Sequence, residues 1–318
     1  MNDQAQPEPV AGLPVRPGVL TAGILSLLLY LSLVGLPLLG VLVAPMAAVP
    51  VLAVRSGGTA PVLAWGWPAL VLAAAAWSQG IPWLILFVGY VLLVALPATS
   101  VEWWEAADWS EGRWVAVATG IALVTILGLA LVLSGGDPVS ATRLWVHKAG
   151  ADAESLYTTM GVGKGQAGLM LDRAEGVLGW ALPGMVCGYL ILTLFWLRAR
   201  LRMLQLPVET GQFEEYRNDD WLPAVFAVAG GATLLASGTL RWLAVNLLLT
   251  VLILFFVQGL AMIRAHVVRF VGRGLLVRWG LGLICLQPPL VFAVVALGMI
   301  DSFHSLRPAP VNDDGRKE

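Results

Sequence analysis

The chain has little of what soluble enzymes use. Charged residues make up 12% of its 318 positions, against a hydrophobic fraction of 58% and a mean hydropathy of +0.81. Only three histidines are present, His147, His266 and His304, in separate segments, so neither a zinc-ligand spacing nor a Ser/His/Asp set can be assembled from neighbours in sequence. The two cysteines, Cys187 and Cys285, lie in apolar runs, where a thiol behaves as a small hydrophobe; neither has a metal-ligand neighbour, and they do not report a redox compartment. Lys and Arg total 19 against 20 Asp and Glu, a balance that argues against nucleic acid as a partner. The segment Gly161-Val162-Gly163-Lys164-Gly165 lacks the full spacing, the Ser or Thr after lysine and the preceding strand of a phosphate loop. No nucleotide site, cofactor or metal is expected, and no enzyme activity.

What the sequence does have is apolar runs from residue 19 to residue 300. A crossing takes about 20 residues, so a chain of this length reads as one all-α polytopic transmembrane bundle of eight or nine spans, embedded in a lipid bilayer. Run 19–54 is too long for one crossing and is broken by Gly35, Pro37 and Gly40; run 61–98 divides around Ser78, Gln79 and Gly80. Further spans are expected at 114–134, 177–197, 221–237, 241–263 and 279–300. A single helical domain is expected over 19–307, with disordered tails at 1–18 and 308–318. Its longest polar segment, 135–176, reads as an amphipathic helix interrupted by Gly161, Gly163 and Gly165.

Arginine clusters hug the membrane ends at 198–202 and 264–278, which the positive-inside rule assigns to the cytoplasm. The N-terminus then lies in the cytoplasm and 135–176 outside, in a bacterial inner membrane. Trp103, Trp104, Trp109, Trp114, Trp221 and Trp279 fall at expected span ends, where an indole anchors at the interface. Glu102, Glu105, Asp108 and Glu111 recur every third residue and read as a solvated acidic helix face.

Polar residues inside spans are costly in hydrocarbon and face a helix interface or a cavity. Asn246, Thr250 and Gln258 lie on one expected helix, and Gln287 precedes Pro288-Pro289 in the last. Two readings stand: these side chains hold helices together, or they line a ligand pocket near the break at Pro288. Asp301 and Arg307, after the last span, are candidates for an interfacial ion pair.

Phe213-Glu214-Glu215-Tyr216-Arg217, Trp221-Leu222-Pro223, Asn246, Gln258-Gly259, Pro288-Pro289, Gly298-Met299-Ile300-Asp301 and Leu306-Arg307 follow one another in the order and spacing of the YybS-like family. The chain resembles these uncharacterised bacterial membrane proteins, specifically over 213–307 and in layout from residue 19. The family is remotely similar to the substrate-binding subunits of energy-coupling-factor vitamin transporters, whose early helices are also short and punctuated by glycine and proline. The stretch 19–98 shares that appearance, and its small residues Ala22, Gly23, Gly35 and Gly40 would permit close helix approach. The likeness implies a protein that binds a small polar metabolite and works with ATP-driven transporter subunits. The alternative is a non-catalytic membrane scaffold or envelope assembly factor. A cavity of a few hundred Å³ lined by Trp and amides would favour the first, a tightly filled bundle the second.

Overall fold

Glycine and proline set where the helices stop. The computed structural model describes residues 18–55, 61–159, 164–201, 212–271 and 284–304, and every regular element among them is helical. The two tails beyond 18 and 304, with Arg307, and the glycines Gly161 and Gly163 lie outside those residues. Helix α1 (Val19–Gly35) ends at Leu36, and Pro37 starts α2 (Pro37–Val43), which passes through a 3-10 turn into α3 (Ala48–Arg55). Helix α4 (Pro61–Gln79) ends at Gly80, whose φ of 84° is open to glycine and strained for other residues. Helix α5 (Ile81–Tyr90) continues through a π-helical turn, Val91–Ala95, into α6 (Leu96–Ala107). Both breaks fall where the sequence places them.

Ser110 caps α7 (Glu111–Ser134) by accepting a hydrogen bond from the Arg113 amide (3.1 Å), and Gly135 closes its far end in the left-handed conformation. Then come α8 (Pro138–Thr159), α9 (Lys164–Leu201), a 3-10 turn at Phe213–Glu215, α10 (Leu222–Leu235), α11 (Gly238–Val271) and α12 (Pro288–Phe303). One expectation changes here and one is met. Gly165, expected to interrupt the 135–176 segment, lies inside α9, and neither it nor Gly168 or Gly176 stops the helix, so that segment continues into the apolar run as a single 38-residue helix. Ile284 and Cys285 are helical, the chain turns at Leu286 and Gln287, and Pro288 and Pro289 open α12, where a missing N–H is harmless, so the last apolar run is interrupted where Pro288 places the break.

Among the described residues five helices are long and apolar enough to cross a membrane: Pro61–Gln79, Ile81–Ala107, Glu111–Ser134, Asp172–Leu201 and Gly238–Val267. The apolar segments Val19–Gly35, Leu39–Val54, Leu222–Leu235 and Pro288–Phe303 are shorter. At 1.5 Å per residue the 14 residues of α10 reach only about 21 Å, short of a hydrocarbon core of about 30 Å. Eight or nine full crossings therefore do not follow from helix length.

The chain divides into two compact units, Met1–Glu102 with Thr193–Val208, and Trp103–Leu192 with Glu209–Glu318. In the first, α1 packs on α2, α3 and α4, and Ala22 is fully buried. Any side chain at Gly23 would collide with Trp67 and the Ala64 carbonyl, so close approach is real there, whereas Gly35 faces open space. Buried polar groups pair across this unit: Ser26 with the Tyr90 hydroxyl (3.2 Å), and Tyr30, which donates to the Leu86 carbonyl (2.8 Å). In the second unit α11 is the hub, touching α7, α8, α10, α12 and the Phe213 turn. Leu123, Leu127, Cys187 and Trp242 form a core cluster there.

Tryptophan placement corrects part of the anchor reading. Trp104 and Trp114 are buried and stack on each other with centroids 4.5 Å apart, so they fill the interior, while Trp103 and Trp221 remain exposed as interfacial indoles do. The four acids do not share one helix face. Asp108 leaves the helix with φ 49°, placing Glu102 and Glu105 on α6 and Glu111 on α7.

Candidate functional site

A proline inside a helix leaves a carbonyl without its partner, and α9 carries Pro183. The carbonyl four residues back, Gly179, accepts a hydrogen bond from the Trp242 indole N–H of α11 (3.1 Å). One turn further along α11, Asn246 bridges the same irregular turn. Its Oδ1 accepts from the Gly184 amide (2.9 Å), and its Nδ2 donates to the Trp180 carbonyl (2.9 Å) and to the Trp242 carbonyl (2.8 Å). Asn246 is fully buried, and Thr250 donates to the Asn246 carbonyl (2.8 Å). Both donors of the amide are engaged by backbone, so the side chain acts as a clamp between α9 and α11.

Three turns on, Gln258 is the centre of a second network. It accepts at Oε1 from the Asn218 backbone N–H (3.1 Å) and from the Ser302 hydroxyl (3.4 Å), and donates from Nε2 to Asp301 Oδ2 (2.9 Å). Asn218 adds a bond from Nδ2 to the Leu254 carbonyl (3.0 Å) and accepts from the Tyr216 hydroxyl (2.8 Å). Tyr216, Asn218, Gln258 and Asp301 are all buried. A buried amide is tolerated in an apolar bundle when its polar atoms find partners, and the side-chain nitrogen and oxygen of both Asn218 and Gln258 do so here.

Close backbone contact makes this possible. A side chain on Gly298 would run into the Phe255 carbonyl, and one on Gly259 into the Val294 carbonyl, so α11 and α12 meet backbone to backbone beside Gln258 and Asp301. Gly112 does the same for the 212–221 loop: a Cβ there would strike the Arg217 carbonyl, so the loop rests on the first turn of α7. The Phe213 turn is held from α11 by Arg264, which pairs with Glu214 (2.8 Å) and lies over the Phe213 ring.

The same loop borders a cleft of about 520 Å³ lined by Ser110, Arg113 and the segment from Arg217 to Trp221. Asp219 lies at its edge under three donors: the Ser110 hydroxyl (3.0 Å), Arg113 Nε (2.6 Å) and the Trp221 indole N–H (3.0 Å). Partial burial pushes the Asp219 carboxyl up, but these donors outweigh it and hold the group below the usual carboxylate range. Arg217 donates to the Ser302 carbonyl (3.2 Å) and lies 3.8 Å from Asp220.

Of the residues singled out from sequence, Gln258 and Asp301 are brought into direct contact. Asn246 and Thr250 form a separate cluster at Pro183, and Gln287 joins neither: it is exposed, at the N-terminal end of α12. The Asp301 and Arg307 pair cannot be placed, because Arg307 lies outside the described residues; Asp301 is buried against Gln258 rather than solvated. Sequence reasoning passed over Pro183, Asn218 and the Ser26, Tyr30 and Tyr90 group. Pro183 carries a sequence signal, a proline inside an apolar run, whereas Asn218 sits in a polar loop where burial leaves none.

Helices of membrane length, held by buried polar clamps and bordered by a charged cleft, define a helical membrane protein. Within that class the chain belongs to the family described as predicted membrane protein (DUF2232), whose family model matches residues 23–302. This agrees with the resemblance read from the motifs between Phe213 and Asp301. Comparison with curated proteins and with solved structures found no match.

Proposed function

We propose that the chain is a non-catalytic membrane scaffold or assembly factor of the bacterial inner membrane, with its N-terminus in the cytoplasm. The observation that carries this reading is the state of the intramembrane amides. Both donors of Asn246 and the acceptor of Gln258 are engaged within the chain, which leaves them little capacity to grip a solute. Such residues specify how helices meet, and a bundle so specified can present fixed surfaces to other membrane components.

Solute capture for ATP-driven partners is the second reading, and the cleft favours it. Its volume lies in the range of small-molecule sites, about 300–1,000 Å³. On this reading the site shifts from the span amides to the interface. Affinity purification from native membranes, with metabolite extraction and identification of bound proteins, separates the two. Recovery of envelope proteins without a stoichiometric metabolite is the expected result. A co-purifying ATPase pair with one metabolite per chain would overturn the scaffold reading.

A further inference from the structure

The cleft presents two kinds of charge in a fixed order. Arg113 uses Nε on Asp219 and Arg217 uses one Nη on the Ser302 carbonyl, so both guanidinium groups keep N–H donors without a partner among the described residues. Guanidinium forks of this kind match phosphate oxygens in geometry and charge. Asp219 takes the Nε of Arg113 and no more of that guanidinium, its other donors being Ser110 and Trp221. Asp220 does the opposite work: its side chain is 90% exposed and lies 3.8 Å from Arg217, a carboxylate placed for a cation a few ångströms from the phosphate position. Two arginines and two aspartates leave the cleft lining with no net charge, so it favours neither a plain anion nor a plain cation, and a zwitterion fits both kinds of group.

The surroundings point to a lipid as its source. The cleft opens at the first turns of α7 and α10, where apolar helix surface begins, and Trp221 stands exposed at its rim, as indoles do at headgroup depth. Val228, two turns into α10, is 70% exposed and offers a surface for an acyl chain. We propose that this cleft binds the headgroup of a zwitterionic aminophospholipid, with phosphate on Arg113 and Arg217 and the primary ammonium on Asp220.

The test is native mass spectrometry of the full-length protein released from micelles containing phosphatidylethanolamine, phosphatidylglycerol or phosphatidylcholine. One phosphatidylethanolamine per chain should survive after other lipids are stripped, with weaker retention of the other two. Arg217→Gln should weaken retention of all three. Asp220→Asn, at an exposed position with no role in the core, should remove the preference for phosphatidylethanolamine over phosphatidylglycerol, a change of about tenfold for one charge-assisted hydrogen bond. Equal retention of the three lipids by the unaltered protein, or an Asp220→Asn variant that keeps the preference, would overturn the proposal. Displacement of the bound lipid by equimolar free phosphoethanolamine would overturn the lipid source in favour of a soluble zwitterion.

Discussion

Asp219 ties the 212–221 loop to α7 through one carboxylate, and this makes the contact sensitive to acid. Its folded pKa is depressed, so the unfolded chain binds the proton more readily. The stabilisation is complete above the ordinary aspartate value of about 3.9 and is lost as pH falls through the lower folded value. Thermal unfolding in detergent between neutral pH and pH 3 should show that loss, and Asp219→Asn should be less stable at pH 7 while showing a flatter acid limb. An unchanged acid limb in the variant would assign the sensitivity to other carboxylates. At this scale the sequence revealed that Asn246, Thr250 and Gln258 lie inside, because an amide in an apolar run has nowhere else to go. It did not reveal their partners. Asn246 meets Gly184 and Gln258 meets Asp301 through helix approach that no local pattern encodes, and Gln287, exposed in the turn before Pro288, meets neither cluster.

Helix boundaries follow local chemistry closely where a breaker is present. Gly80 and Pro37 fix theirs, while Gly165, Gly168 and Gly176 are tolerated inside α9, which runs through the boundary expected at residue 177. The meeting of α11 and α12 depends on Gly259 and Gly298, and no element pattern announces that these two glycines face each other. Gly298→Ala should force the helices apart and lower stability by about 1–3 kcal/mol, the usual cost of overpacking. Gly120→Ala in α7 has open space around it and serves as the control, neutral or slightly stabilising. Equal melting temperatures for both variants would mean that α11 and α12 are not in close contact.

At the level of the whole molecule, the all-helical class and membrane setting were written in composition, because 58% hydrophobic residues in long runs admit few other structures. The number of crossings was not, since the four shorter apolar segments can be accommodated by tilt, thinning or burial. Sidedness can be measured. The 212–221 loop touches the first turn of α7 and Ser140 follows its last, so the two lie at opposite ends of a 24-residue helix about 36 Å long. A cysteine at Ser140 should react with a membrane-impermeant maleimide in intact cells, whereas one at Gln212 should react only after permeabilisation; both native cysteines are buried. The reverse pattern would invert the orientation drawn from the arginine clusters.

The central claim, that the intramembrane amides hold helices rather than a solute, is tested most directly by a double-mutant cycle between Asn246 and Pro183. Asn246→Leu removes three hydrogen bonds and, at about 0.6 kcal/mol for each such bond in a bilayer protein, should cost about 2 kcal/mol in equilibrium unfolding from mixed micelles. In a Pro183→Ala background α9 can satisfy the Gly179 carbonyl and the Gly184 amide itself, so the same replacement should cost less than half as much. Equal costs in both backgrounds, or an Asn246→Leu variant of unaltered stability that has lost a co-purifying metabolite, would contradict the account.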